Sequence, residues 1–116
     1  MRKSLTRKER LRTRSEIKGL FADARRVEGG GLKLLYRENG AAGNRFAVVV
    51  GRGCGGAVRR NREKRVTREA YRSLKEIVAP GYDLLFLVLR FGESFAERRA
   101  AMGRLLGRAG LRNRAD

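Results

Sequence analysis

The chain has 116 residues, enough for one domain with a single modest core. Lys and Arg number 29 against 12 acids, a formal charge of +17, so an anionic partner is expected, nucleic acid ahead of membrane. The lack of histidine and the single cysteine, Cys54, exclude Ser/His/Asp triads, Cys/His pairs, histidine metal sites, an intrachain disulfide and cysteine-built zinc sites.

Residues 1–13 are polar and basic and read as a flexible segment. No apolar run follows the basic start, so it does not read as a secretory signal. With no long apolar span either, a cytoplasmic protein without a membrane partner is expected. Thr13 and Glu16 have capping-box spacing and open a first helix from about Arg14 to Ala24, with Ile17, Leu20, Phe21 and Ala24 on one face. Arg25 to Val27 is a short strand entry before Gly29-Gly-Gly31, and Leu32 to Tyr36 is a strand. The stretch from Arg37 to Asn44, with Gly40 and Gly43, reads as a loop between antiparallel strands. The second strand of that pair is Phe46 to Val50.

Gly51, Gly53 and Gly56 satisfy G-x-G-x-x-G between a strand and a helix. A dinucleotide site needs further βαβ units, for which the chain is too short, and no Gly-Lys-Ser/Thr follows to make a P-loop. The stretch is read as a turn whose backbone can approach phosphate closely. Cys54 within it is a small apolar filler.

A helix from Ala57 to about Val78 follows and stops at Pro80-Gly81. At roughly 100° per residue, Asn61, Arg65, Arg68 and Arg72 fall at i, i+4, i+7 and i+11, with Lys64 and Lys75 at the edge of the stripe. Val66, Ala70, Leu74 and Ile77 lie on the opposite side and face the core. Arg60 and Arg62 project to either side of the polar stripe, toward the loop or the sheet. Arginines stacked one per turn repel each other unless an anion lies across them. Phosphates at polynucleotide spacing supply that anion, with bidentate guanidinium contacts.

Asp83 to Leu89 is nearly all apolar, as a central strand covered on both faces should be. Ser94 and Glu97 form a second capping box, opening a last helix to about Ala109 with Phe95, Met102, Leu105, Leu106 and Ala109 buried. Residues 111–116 are a tail, although Arg112-Asn-Arg114 repeats the Arg-Asn-Arg of the central helix.

The expected fold is therefore α+β: a two-layer sandwich, a small mixed sheet covered by helices, in the order α-β-β-(β)-α-β-α with a basic central helix. One RNA-binding domain spans 14–110. The twelve acids are scattered and form no paired-carboxylate motif, so no catalytic residue and no metal site is expected in the protein itself.

The string Ala57-Val-Arg-Arg-Asn-Arg-Glu-Lys-Arg-Val-Thr-Arg-Glu-Ala-Tyr71 resembles the signature of the protein subunit of bacterial ribonuclease P: Arg60-Asn-Arg62, then Lys64-Arg65, then Arg68-Glu69. Leu11 to Phe21 is similar to that family's amino-terminal segment and Gly81 to Arg90 to its last strand, so the resemblance covers roughly residues 5 to 109. It implies the non-catalytic subunit of a ribonucleoprotein endoribonuclease that removes the 5′ leader of precursor tRNA. The catalytic RNA does the chemistry, with divalent metal (Mg2+) held by RNA and substrate, and the protein alone is inactive.

Carried over, Arg60, Asn61, Arg62, Lys64, Arg65 and Arg68 lie at or near the catalytic RNA, Arg52 and Arg72 complete the expected RNA-binding set, and Ile17, Phe21 and Tyr36 line a cleft for the leader. Two positions depart from the family pattern. Ile17 stands where an aromatic is usual, and Arg52-Gly53 stands where a lysine pair is usual. The alternative is a ribosomal protein or RNA chaperone of similar fold, with no catalytic partner.

Overall fold

The computed structural model describes residues 9–11 and 13–113. Its elements are α1 (Arg14–Asp23), β1 (Arg25–Gly29), β2 (Leu32–Glu38), β3 (Arg45–Val50), α2 (Ala57–Leu74) with a 3-10 turn at Lys75–Ile77, β4 (Tyr82–Val88) and α3 (Phe95–Arg108). The expected element order holds. Both capping boxes form: the Thr13 hydroxyl accepts from the Glu16 N–H, the Ser94 hydroxyl accepts from the Glu97 N–H, and each glutamate reaches back to its cap's own N–H.

The four strands make one mixed sheet in the order β1-β2-β4-β3. β1 and β2 are a tight hairpin whose turn residues, Gly30 and Gly31, have φ of 63° and 74°, the left-handed geometry that a two-residue turn requires. β2 pairs with β4 antiparallel, and β3 pairs with β4 parallel. β2 and β3 therefore run antiparallel, as expected, without being hydrogen-bonded neighbours. The 37–44 loop joins strands of opposite direction, but β4 lies between them. A central β4 covered on both faces explains its continuous apolar run.

Side chains alternate across the sheet. Leu34, Tyr36, Phe46, Leu84, Phe86 and Val88 meet Ala70, Tyr71 and Leu74 of α2 and Met102, Leu105 and Leu106 of α3 in the main core. Leu35, Ala47 and Leu85 meet Leu20 of α1 and Leu11 on the other face, in a smaller cluster flanked by Ile17. Phe46 stacks on Tyr71 with centroids 4.1 Å apart and planes 6° from parallel. Cys54 is buried, in keeping with a filler role.

Two boundaries shift. The packed unit extends beyond 14–110, because Leu11 and Leu111 are both buried, Leu11 N–H donates to Phe46 O, and Leu111 O accepts from Ala79 N–H. Residues 1–8, 12 and 114–116, which complete the expected basic segment and tail, lie outside the described residues. Phe95, expected in the core, is 43% exposed at the first turn of α3, and the buried position one turn on is taken by Arg98 at 0% exposure.

Candidate nucleic-acid interface

α2 positions the cations. Its buried side is Glu63, Val66, Thr67, Ala70, Tyr71 and Leu74, which fixes the helix's rotation and turns the opposite side to solvent. Asn61, Arg65 and Arg68 are exposed on that outer side, and Lys64 and Arg72 are half-buried along its margins. No described carboxylate pairs with Arg65, Arg68 or Arg72. The outer face of α2 is thus a row of unneutralised guanidiniums, one per turn, on a helix held rigidly from behind.

Arg60 and Arg62 are engaged differently. The Arg60 guanidinium donates to Val50 O at 3.0 Å and Gly51 O at 3.4 Å, tying α2 to the end of β3. Arg62 donates to Glu63 Oε2 at 3.1 Å and Glu93 O at 2.9 Å, tying α2 to the loop before α3. The sideways projection of these two arginines places them on the sheet and the loop. Arg52 is exposed in the glycine-rich turn ahead of α2, where Gly53 and Gly55 adopt φ of 90° and 112°.

Beneath these residues lies an ionic cluster that the sequence reading did not identify. Glu63 Oε1 accepts from Arg98 Nη2 at 2.8 Å, and Glu63 Oε2 accepts from the Gly92 N–H at 2.7 Å. Arg98 also donates to Thr67 Oγ1 at 2.7 Å and to Glu93 Oε1 at 3.2 Å. Burial pushes the Glu63 carboxyl up, but the Arg98 and Gly92 hydrogen bonds and the charges of Arg98 and Arg62 outweigh it and hold the group below its ordinary value. A signal was available. Glu63 and Thr67 continue the Val66-Ala70-Leu74 stripe, so an acid stood at a core-facing position and required a buried cation.

A second ionic cluster braces the other end of the sheet. Arg45 chelates buried Asp83 through Nε at 3.0 Å and Nη2 at 2.9 Å, and its Nη1 reaches Glu16 of α1 at 2.6 Å. The Asp83 hydrogen bond is the largest influence raising the Arg45 pKa; burial opposes it.

Beside α2 a groove runs along the outer edge of β3. It is lined by Arg10, Leu11 and Ile17 on one side, Phe46, Ala47 and Val48 at the floor, and Arg68 on the other side. Arg10 forms a parallel bridge with Phe46, and beyond that bridge no described strand covers the β3 edge. Ile17 therefore sits in an open, partly apolar channel bordered by arginines. Phe21, one turn further along α1, is 39% exposed and lies outside this lining. Tyr36 is a correction: it is buried in the α2/α3 core, tilted against Tyr82 at 6.5 Å, on the sheet face opposite Ile17. Along β2 it is Leu35 and Arg37 that face α1, with Arg37 donating to Gly19 O, so period-2 alternation turns Tyr36 away.

Among the described residues no group of His, Cys, Asp and Glu side chains could hold a metal ion. No helix among them is long and apolar enough to cross a membrane.

The family model described as Ribonuclease P matches residues 5–110. The ribonuclease P protein component of Thermotoga maritima is 36% identical over 87 residues, covering 75% of this chain and 74% of the relative. That of Roseiflexus castenholzii is 36% identical over 110 residues, covering 92% and 90%. Among solved structures, the Thermotoga maritima RNase P protein superposes with a TM-score of 0.77 at 31% identity, over 86% of this chain and 96% of that one. The Staphylococcus aureus RNase P protein reaches 0.78 at 18% identity, over 90% and 98%, a likeness of fold.

Proposed function

The chain belongs to the bacterial ribonuclease P protein family, the protein component of a ribonucleoprotein endonuclease, and from that premise we propose how its surfaces are used. The outer face of α2, with Asn61, Lys64, Arg65, Arg68 and Arg72, lies against the phosphates of the catalytic RNA. Arg52 adds a charge from the preceding turn. Arg60 and Arg62 hold α2 to the sheet and to the α3 loop, so that its outer row keeps one orientation. The groove at the β3 edge takes the single-stranded 5′ leader of precursor tRNA, with Arg10 on its phosphates and Ile17 under its bases, and Arg68 forms the rim shared with the α2 face. Ile17 supplies apolar contact there without aromatic stacking.

The observation that carries this reading is the row on α2: guanidiniums one per turn, without described acidic partners, on a helix locked from behind by Glu63, Thr67 and Arg98. Such a row repels itself, and an anion of matching spacing relieves that repulsion. The protein supplies binding and charge neutralisation. Divalent metal, Mg2+, enters through RNA and substrate, and the reaction proceeds in the cytoplasm.

The test is precursor-tRNA processing by a bacterial ribonuclease P RNA at low magnesium, with and without the protein. Cleavage at the mature 5′ end only when RNA and protein are combined is the expected result. RNA binding without rescue of cleavage would instead favour a ribosomal or chaperone role.

A further inference from the structure

α3 carries a second set of cations that the signature helix does not account for. Of its four arginines, Arg98 is buried in the ionic cluster, while Arg99, Arg104 and Arg108 are exposed. None of these three pairs with a described carboxylate: Arg99 donates to Ser73 Oγ at 2.9 Å, Arg108 donates to the backbone oxygen of Glu28 at 2.8 Å, and Arg104 makes no hydrogen bond. The helix has one acid, Glu97, which is consumed in the capping box with Ser94. Glu28, in the hairpin alongside, pairs with Lys33 at 3.7 Å.

Arg104 and Arg108 are one helical turn apart, so they repel each other as the α2 cations do. Both overhang the glycine turn of the β1–β2 hairpin. A β-carbon on Gly30 would stand 3.7 Å from Arg104 Nη2, and one on Gly29 would stand 3.1 Å from Arg108 Nη1. The exposed positions next to them on α3 are Ala100 and Gly107, both small, and the side chain that lies over Gly107 is that of another arginine, Arg112. The result is an unneutralised cationic edge whose two arginines step about 6 Å along the helix axis in backbone rise.

This edge is distinct from the α2 interface and its groove. Arg108 contacts β1, Arg68 borders β3, and these strands are the two ends of the sheet. Three interstrand steps separate them, about 14 Å. A strand seated in the β3 groove cannot also lie on Arg104 and Arg108 without crossing the whole helical layer.

We propose that the Arg104–Arg108 edge of α3 is a second surface for the phosphate backbone of the catalytic RNA, in addition to the α2 face and apart from the leader groove. The proposal rests on the ribonuclease P reading. Its chemistry is that of any phosphodiester backbone, with guanidinium forks as donors. The segment it takes is a further part of the catalytic RNA, the partner that membership of the family implies.

The test uses the full chain carrying Arg104→Ala with Arg108→Ala, the same pair changed to Lys, and Arg65→Ala with Arg68→Ala as a control on α2. Affinity for ribonuclease P RNA is measured across a salt series, and precursor-tRNA affinity is measured on the assembled complex. The alanine pair is expected to weaken the affinity for ribonuclease P RNA roughly ten-fold and to flatten its salt dependence by about two phosphate contacts. The lysine pair should restore the slope. Loss only in the assembled complex, with affinity for ribonuclease P RNA unchanged, overturns the catalytic RNA as the occupant. Wild-type behaviour of the alanine pair in both measurements, with the α2 control impaired, overturns the second surface and leaves the α2 reading standing. A wild-type protein that binds ribonuclease P RNA no better than an unrelated RNA of equal length overturns both.

Discussion

Arg98 Nη2 donates to Glu63 Oε1 across 2.8 Å, joining α3 to the signature helix through two side chains that are almost wholly out of water. Glu63 Oε1 is held by Arg98 alone, Oε2 accepts from Arg62 Nη1 and the Gly92 N–H, and Arg98 donates in addition to Thr67, Glu93 and the Arg90 backbone oxygen. No buried side-chain nitrogen or oxygen among the described residues lacks a hydrogen-bond partner. The outward row of cations on α2 thus inherits its orientation from a satisfied polar core behind it.

Removing one member of that pair should be severe. Glu63→Ala or Arg98→Ala leaves the other charge buried and is expected to cost about 3–5 kcal/mol in urea unfolding. Replacing both, as Glu63→Leu with Arg98→Met, should recover much of the loss, because two apolar groups leave no stranded charge. A double variant as unstable as the sum of the singles would show that the two residues act independently.

The depressed Glu63 pKa sets a direction for pH. Its folded value lies below its ordinary 4.5, so the stabilisation is complete above that unfolded value and is lost as pH falls through the folded one. Urea midpoints of the wild type and Glu63→Gln, compared from about pH 7 to about pH 3, should differ by a constant amount above about pH 5 and converge in acid. A gap that widens in acid would reverse the assignment.

Arg65 and Arg60 should separate binding from stability. Arg65→Ala, at an exposed cation, is expected to flatten the salt dependence of RNA binding by about one phosphate contact with little change in unfolding. Arg60→Ala removes the donors to Val50 O and Gly51 O and is expected to cost about 1–2 kcal/mol of stability. Equal effects of both on the salt slope would place Arg60 on the RNA as well.

Ile17 lines the β3 groove, whereas Tyr36 does not. Ile17→Ala should therefore lower the affinity of the assembled complex for precursor tRNA relative to tRNA lacking a leader. Tyr36→Phe should leave that ratio unchanged. The ratio cancels any general loss of folded protein.

Much of this was legible along the chain. The Thr13–Glu16 and Ser94–Glu97 spacings marked where α1 and α3 begin, because a capping box is a local hydrogen-bond exchange. The polar stripe of α2 could be assigned from periodicity because a helix with one buried face must turn the other outward. Glu63 was partly legible, since its spacing to Val66, Thr67 and Ala70 put it on the buried side. Its partner was not, because Arg98 lies 35 residues further on, in a helix whose docking no local pattern encodes. Phe95 shows the converse: it fits the apolar stripe, yet the first turn of α3 overhangs the core and leaves the ring exposed.

By itself the sequence determined the charge, the class of partner, the order of the elements and the outward face of α2, all of which depend on composition or on contacts within a few residues. Only the tertiary structure decided that β4 lies between β2 and β3, that Tyr36 points away from the Ile17 groove, and that the arginines of α3 overhang the hairpin. Those are choices of neighbour among segments distant in the chain. They are settled by which arrangement buries both faces of β4 and pairs every buried charge, a condition on the whole fold that no single stretch of sequence carries.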